Sequence, residues 1–187
     1  MNTIVDLNKI LNSGSLESEL DFERASVIHR KLRVLVKEHP ELSEKRGKLR
    51  LLIKAYENSV WVESEISAEK IKESDVAEVV AEQERLFFHN RKELIKKKLR
   101  SLSLSQKDLG KILGHNSVTY ISELVNGINP FTTRDLIIIH LLLKIDFNDL
   151  IPTVLNPDER EKLANAINEL SNPKLKMNEE SLELVTC

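Results

Sequence analysis

Aromatic residues make up only 4% of the 187 residues, and glycine and proline number five each. Long strands draw on aromatic and β-branched runs set between turn residues. Their scarcity excludes a sheet-dominated fold, and Leu, Ile, Lys and Glu recur instead at helical spacing, so an all-α protein is expected. There is one cysteine, Cys187. It has no partner for an internal disulfide, and nothing here calls for an oxidising compartment. No apolar run approaches the roughly 18 to 20 residues of a membrane span. The longest, Leu136 to Leu143, is interrupted by His140. Met1-Asn2-Thr3 leads into a mixed sequence without a basic stretch, so no signal peptide and a soluble, cytoplasmic protein are expected.

Catalytic and metal signatures are also missing. His29, His39, His89, His115 and His140 show no ligand spacing, and the cysteine is terminal. A metal site needs such spacing, so neither metal nor cofactor is expected. There is no glycine-rich phosphate loop, no GxSxG and no HExxH. Carboxylates are plentiful, but on helices they mostly form surface pairs one turn apart. The chain is not expected to be an enzyme.

Charge is present but uneven. The net value is −2, which excludes a globally basic coat. Residues 1–62 carry +2, 63–86 carry −5, 87–152 carry +4 and 153–187 carry −3. These blocks coincide with an N-terminal helical region, an acidic helical connector, a compact C-terminal domain, and a final helix with a tail expected to be disordered. In the first block, Asp6 to Leu11 suggests a short helix or docked arm. Phe22, Ala25, Ile28, Leu32 and Leu35 then mark a helix that stops before Pro40. A second helix, about 44–61, pairs with it as a hairpin. Tyr56 and Trp61 at its end are core residues or anchors for a partner.

From Phe87 to Pro152 the pattern yields five helices. The first is 90–101, with Lys96, Lys97, Lys98 and Arg100 along its exposed side. The second starts at Ser105, with Asp108 in a capping-box position, and ends at Gly114. The third runs from about Ser117 to Asn126-Gly127. The fourth carries the Leu136–Leu143 run and is expected to be the central buried helix. A short fifth covers Phe147 to Ile151. Beyond it, Asn156 as cap and Pro157 at the first helical position open a last helix.

The stretch Ser105–Gly127, SQKDLGKILGHNSVTYISELVNG, is the most specific feature. Two short helices need a small residue at their crossing, and Gly110 is there. They need aliphatics to fix the angle, and Leu109, Leu113, Ile121 and Leu124 supply them. Gly114 breaks the chain between them. This pattern resembles the Xre/Cro repressor-type helix-turn-helix family, whose lambda-repressor-like five-helix layout is also matched by Pro130, the apolar helix and Asp146 to Ile151. The resemblance implies that the second helix of the pair meets the DNA major groove. Gln106, Lys107, Lys111, His115, Ser117, Thr119, Tyr120, Ser122 and Asn126 are then the candidate DNA contacts.

Three departures stand out. Gly110 replaces the usual alanine. The turn before Ile121 is one residue longer. The reading helix has no Lys or Arg, and Glu123 sits where the family often has a basic residue. Phosphate affinity must come from other positions and from a second subunit, so a homodimer is expected. The layout, with a helical N-terminal part before this domain, also resembles antitoxins of the HigA type. That resemblance implies a repressor of its own operon that binds a partner toxin, an mRNA-cleaving nuclease. A stand-alone Xre-type regulator, or a helical adaptor that has lost DNA binding, are the alternatives.

Overall fold

The computed structural model describes residues 6–62, 67–152, 155, 157–172 and 175, with Trp61, Val62, Pro157 and Asp158 described by backbone alone. All regular structure among them is helical. The order is α1 (Leu7–Ser13), α2 (Glu19–Leu35), a 3-10 turn (Pro40–Leu42), α3 (Ser43–Glu57) and a π turn (Asn58–Val62). Then follow α4 (Ala68–Ser101), α5 (Gln106–Leu113), α6 (Val118–Val125), α7 (Thr133–Leu143), α8 (Phe147–Leu150) and α9 (Pro157–Leu170). Residues 4–151 form one compact unit, and α9 falls in another.

The helix boundaries follow from local chemistry. Ser18 caps α2 by accepting from the Asp21 amide, and Ser67 caps α4 by accepting from that of Lys70. No Gly or Pro interrupts 68–101. The second half of the acidic segment and the expected helix 90–101 are therefore one continuous 34-residue helix, with residues 63–66 outside the described region. This long helix is shared by two cores. Its Ile95 and Leu99 join Leu109, Leu113, Ile121, Leu124, Ile139 and Leu150. Its Phe88 joins Leu7, Ile28, Leu32, Leu42 and Leu49 of the N-terminal helices, together with Ile128 from the loop after α6.

One expectation is overturned. Helix α7 is not the central buried element, because Ile137, Leu141 and Leu142 are exposed, Leu141 by 69%. Only Asp135, Ile139 and Leu143 are buried in it. The central position belongs to α4. His140 is half-buried and satisfied, with Nδ1 2.7 Å from the Ile145 carbonyl and its ring stacked on Phe147. In the separate C-terminal unit, the Arg160 Nε donates to the Leu155 carbonyl (2.9 Å). Asn156, the expected cap, and the tail from 176 onward lie outside the described residues.

Arg91 is the unusual member of the core. It is 4% exposed. Its Nη1 donates to the Leu150 carbonyl (3.2 Å), and its guanidinium lies over the rings of Phe88 (4.7 Å) and Phe131 (5.1 Å). Burial lowers its pKa to about 10. A cation held this way costs on the order of 3 kcal/mol of folding free energy below pH 10, an expense relieved only as pH rises above that value. The ring contacts offset part of it. Arg91→Met, which keeps the bulk and drops the charge, should leave stability within about 1 kcal/mol, whereas Arg91→Ala should lose about 3 kcal/mol. Urea unfolding checks both, and a large loss for Met would show that the charge itself holds α4 to α8.

Candidate nucleic-acid interface

Helix α5 begins with the expected capping box. The Ser105 hydroxyl accepts from the Asp108 amide (3.2 Å), and the Asp108 carboxylate accepts from the Ser105 amide (3.0 Å). The hydroxyl also donates to that carboxylate (2.6 Å), and these bonds hold the Asp108 carboxyl below its usual range. The helix closes on Gly114 at φ +83, and the next amide, His115, returns to the Gly110 carbonyl at 2.8 Å. A Cβ on Gly110 would lie 2.9 Å from Ile121 Cγ1 and 3.1 Å from the His115 carbonyl oxygen. That closeness leaves little room for any side chain at the crossing.

Helix α6 starts at Ser117, whose hydroxyl accepts from the Tyr120 amide (3.1 Å). Ile121, Leu124 and Val125 enter the core, with Tyr120 packed against them. By the 3.6-residue repeat, Thr119, Ser122, Glu123 and Asn126 fall on the opposite face. In a helix-turn-helix this outward face is the one offered to DNA. Here it is covered by the N-terminal hairpin. The Thr119 hydroxyl donates to the Glu41 carboxylate and lies 3.3 Å from His39 Nδ1. Thr119 in turn holds the Glu41 carboxyl below its usual range. Lys45 Nζ reaches Glu123 Oε1 at 2.6 Å, and the Asn129 amide donates to Oε2 at 2.8 Å. Lys31 Nζ donates to the Asn126 carbonyl at 3.0 Å. Ser122 and Glu123 are 4% and 1% exposed.

The candidate contacts are thereby sorted. Lys107 and Lys111 are exposed on α5, Lys111 3.7 Å from Asp108, and Gln106 is half-buried at the helix start. Ser117 is exposed but serves as the α6 cap. His115 lies 3.1 Å from the buried Asp135 carboxylate and edge-on to Tyr120. Tyr120 is half-buried, and burial, then Asp135, raises its pKa. Asn126 ends the helix, its side-chain amide donating to the Ser122 carbonyl (2.8 Å). Of the candidate partner anchors, Tyr56 is half-buried and stacked on Phe22 at 5.3 Å, and the Trp61 side chain lies outside the described residues.

Sequence reasoning missed the covering residues His39, Glu41, Lys45 and Lys31. One signal pointed toward them: Glu123, a carboxylate where phosphates should be met, needed a cation, and none was available nearby in sequence.

Residues 95–150, less than a third of the chain, match the helix-turn-helix family model HTH_3. No curated protein and no solved structure gives a significant match. The chain is thus an all-α protein that carries a helix-turn-helix domain, and that domain supports a DNA-binding transcriptional regulator. No helix among the described residues is long and apolar enough to cross a membrane.

Proposed function

We propose that the protein is a sequence-specific transcriptional repressor of the HigA-antitoxin kind. It binds the promoter of its own operon as a homodimer through α6, and its N-terminal helices bind a partner toxin that cleaves mRNA. The observation that carries the DNA reading is the capped α5, the glycine-closed turn and the packing of α6 against α5, the arrangement of two short helices that this architecture uses. The toxin reading rests on the layout of a helical hairpin ahead of that domain. Seating α6 in a major groove requires the α2–α3 hairpin to leave its outward face, so DNA reading is coupled to a movement of the N-terminal part. The exposed apolar residues Ile137, Leu141 and Leu142 of α7 supply a surface for the second copy.

A second reading has one observation in its favour. The burial of Ser122 and Glu123 under the hairpin suits a helical adaptor that no longer reads DNA. A labelled duplex from the region upstream of the gene separates the two. The repressor binds it more tightly than a scrambled duplex and loses affinity steeply between 50 and 200 mM salt, by about 100-fold or more if several phosphates are neutralised per dimer. An absence of binding to either duplex at 50 mM salt favours the adaptor. For the toxin, a small basic nuclease-like reading frame beside the gene, whose product co-purifies with this chain, is the expected finding.

A further inference from the structure

We infer that the groove between α2 and α4 is a phosphate-binding track for the backbone of duplex DNA, continued along α4 toward the helix-turn-helix domain. The groove has a volume of about 470 Å³ and is walled by Arg30, Lys31 and Arg33 of α2 and by Arg85, His89 and Lys92 of α4. Its only carboxylate is Glu82, which is already bonded to Arg85 at 2.6 and 2.7 Å. Among the described residues, Arg30, Arg33 and Lys92 have no ion-pair partner. The chain as a whole is slightly acidic, so this gathering of cations is not a by-product of composition.

The cations press on one another. Burial lowers the Lys31 pKa to about 8, and Arg91, Lys92 and Arg85 add to the effect, with Glu84 opposing. Lys92 is lowered by burial and then by Lys96, with Glu93 and Glu38 acting in the opposite sense. Like charges held together across a helix pair weaken its packing unless an anion lies between them.

Position selects the anion. Asn126, the C-cap residue of α6, forms part of the groove wall. A helix lying in the major groove is flanked by sugar-phosphate backbone. From the groove the cations continue down α4 as Arg85, Lys92, Lys96 and Arg100, with His89 between the first two, at spacings of three or four residues. That stripe is about 22 Å long at 1.5 Å per residue. One strand of a duplex presents a phosphate about every 3.4 Å of its axis. The groove also stays open while the hairpin covers α6. Duplex therefore engages first through this track in the closed arrangement, without regard to sequence; the α4 cations keep their hold on it when α2 withdraws, and α6 reads afterwards.

The assignment rests on the DNA-binding reading above, and fluorescence anisotropy tests the two separately. The probes are the upstream duplex and a scrambled duplex of the same composition, titrated from 50 to 200 mM salt. Arg30→Ala, Arg33→Ala and Lys92→Ala combined should weaken both duplexes by the same factor, tenfold or more at 50 mM salt. The slope of log affinity on log salt should fall by about two to three, with no loss in the unfolding midpoint. Arg30→Lys with Arg33→Lys should retain the slope. An unchanged slope in the triple variant overturns the track, as does a change in preference between the duplexes. Tripolyphosphate provides the other arm. If it raises the unfolding midpoint of the native chain but not of the triple variant, and duplex binding is equal in both, the occupant is a free polyphosphate and the DNA track is wrong. If the native chain binds neither duplex, the DNA-binding reading itself has failed, and the track falls with it.

Discussion

Gly127→Ala should lower stability by about 3 kcal/mol and the unfolding midpoint by roughly 6 to 12 °C. Gly127 follows the end of α6 with φ +63, in the left-handed region that costs other residues free energy. A Cβ there would also lie 2.7 to 3.0 Å from Cγ, Cβ and Cδ1 of Phe88. Phe88 cannot give way, because it is 3% exposed and packed among Leu7, Ile28 and Leu32 with the Arg91 guanidinium over its ring. The strain therefore falls on the joint between α6 and the N-terminal core. Differential scanning calorimetry reads the effect, and a midpoint within 2 °C of the native value would show that the joint is loose.

Locking the hairpin onto α6 should abolish sequence preference in DNA binding. The outward face of α6 is held at three points along its length, by Glu41 at Thr119, Lys45 at Glu123 and Lys31 at Asn126. A base edge cannot approach side chains buried there. With Cys187 replaced by Ser, cysteines at 41 and 119 joined by a short bis-maleimide fix the closed arrangement. The expected result is that linking lowers affinity for the upstream duplex, by tenfold or more relative to the same variant left unlinked, to the level of the scrambled one; the unlinked variant, which itself lacks the Thr119 hydroxyl, is the reference. An equal preference in linked and unlinked protein would mean that α6 does not read DNA through this face. Lys45→Ala is the complementary change. It leaves Glu123 buried with the Asn129 amide as its remaining partner, which favours release of the hairpin.

The local features of the site were legible because they depend on neighbours in sequence. Ser105, Asp108, Gly114 and Ser117 act within four residues of their partners, so caps and turns could be read directly. The boundaries of α5 to α8 follow from them. The exposure of α7 was not legible, since a nearly unbroken apolar run carries no periodicity to say which side faces in. The length of α4 was obscured by the change from acidic to basic composition near residue 87. Charge affects which face is solvated, and backbone continuity does not depend on it. The cover over α6 was hidden for a different reason. Lys45 and Glu123 are 78 residues apart, and nothing in either segment names the other. What sequence supplied was an anomaly at Glu123, which the structure resolves as half of a buried pair.

The docking of α1 has a consequence for how the chain is made. The Leu7 amide donates to the Ile128 carbonyl (3.0 Å), and the Asn8 amide to the Asn129 side chain across 121 residues. Leu7 and Ile128 are both fully buried. During synthesis, α1 can meet α2 and α3 early, but its hydrogen bonds to the loop after α6 must wait until residues 128 and 129 have followed. Contacts of such sequence separation form late, because the intervening chain must be ordered first. Until then the side of Leu7 that meets Ile128 remains uncovered. A nascent chain stalled before residue 128 would therefore hold α1 by its contacts with α2 and α3 alone, and the N-terminal core closes only when the helix-turn-helix segment is made.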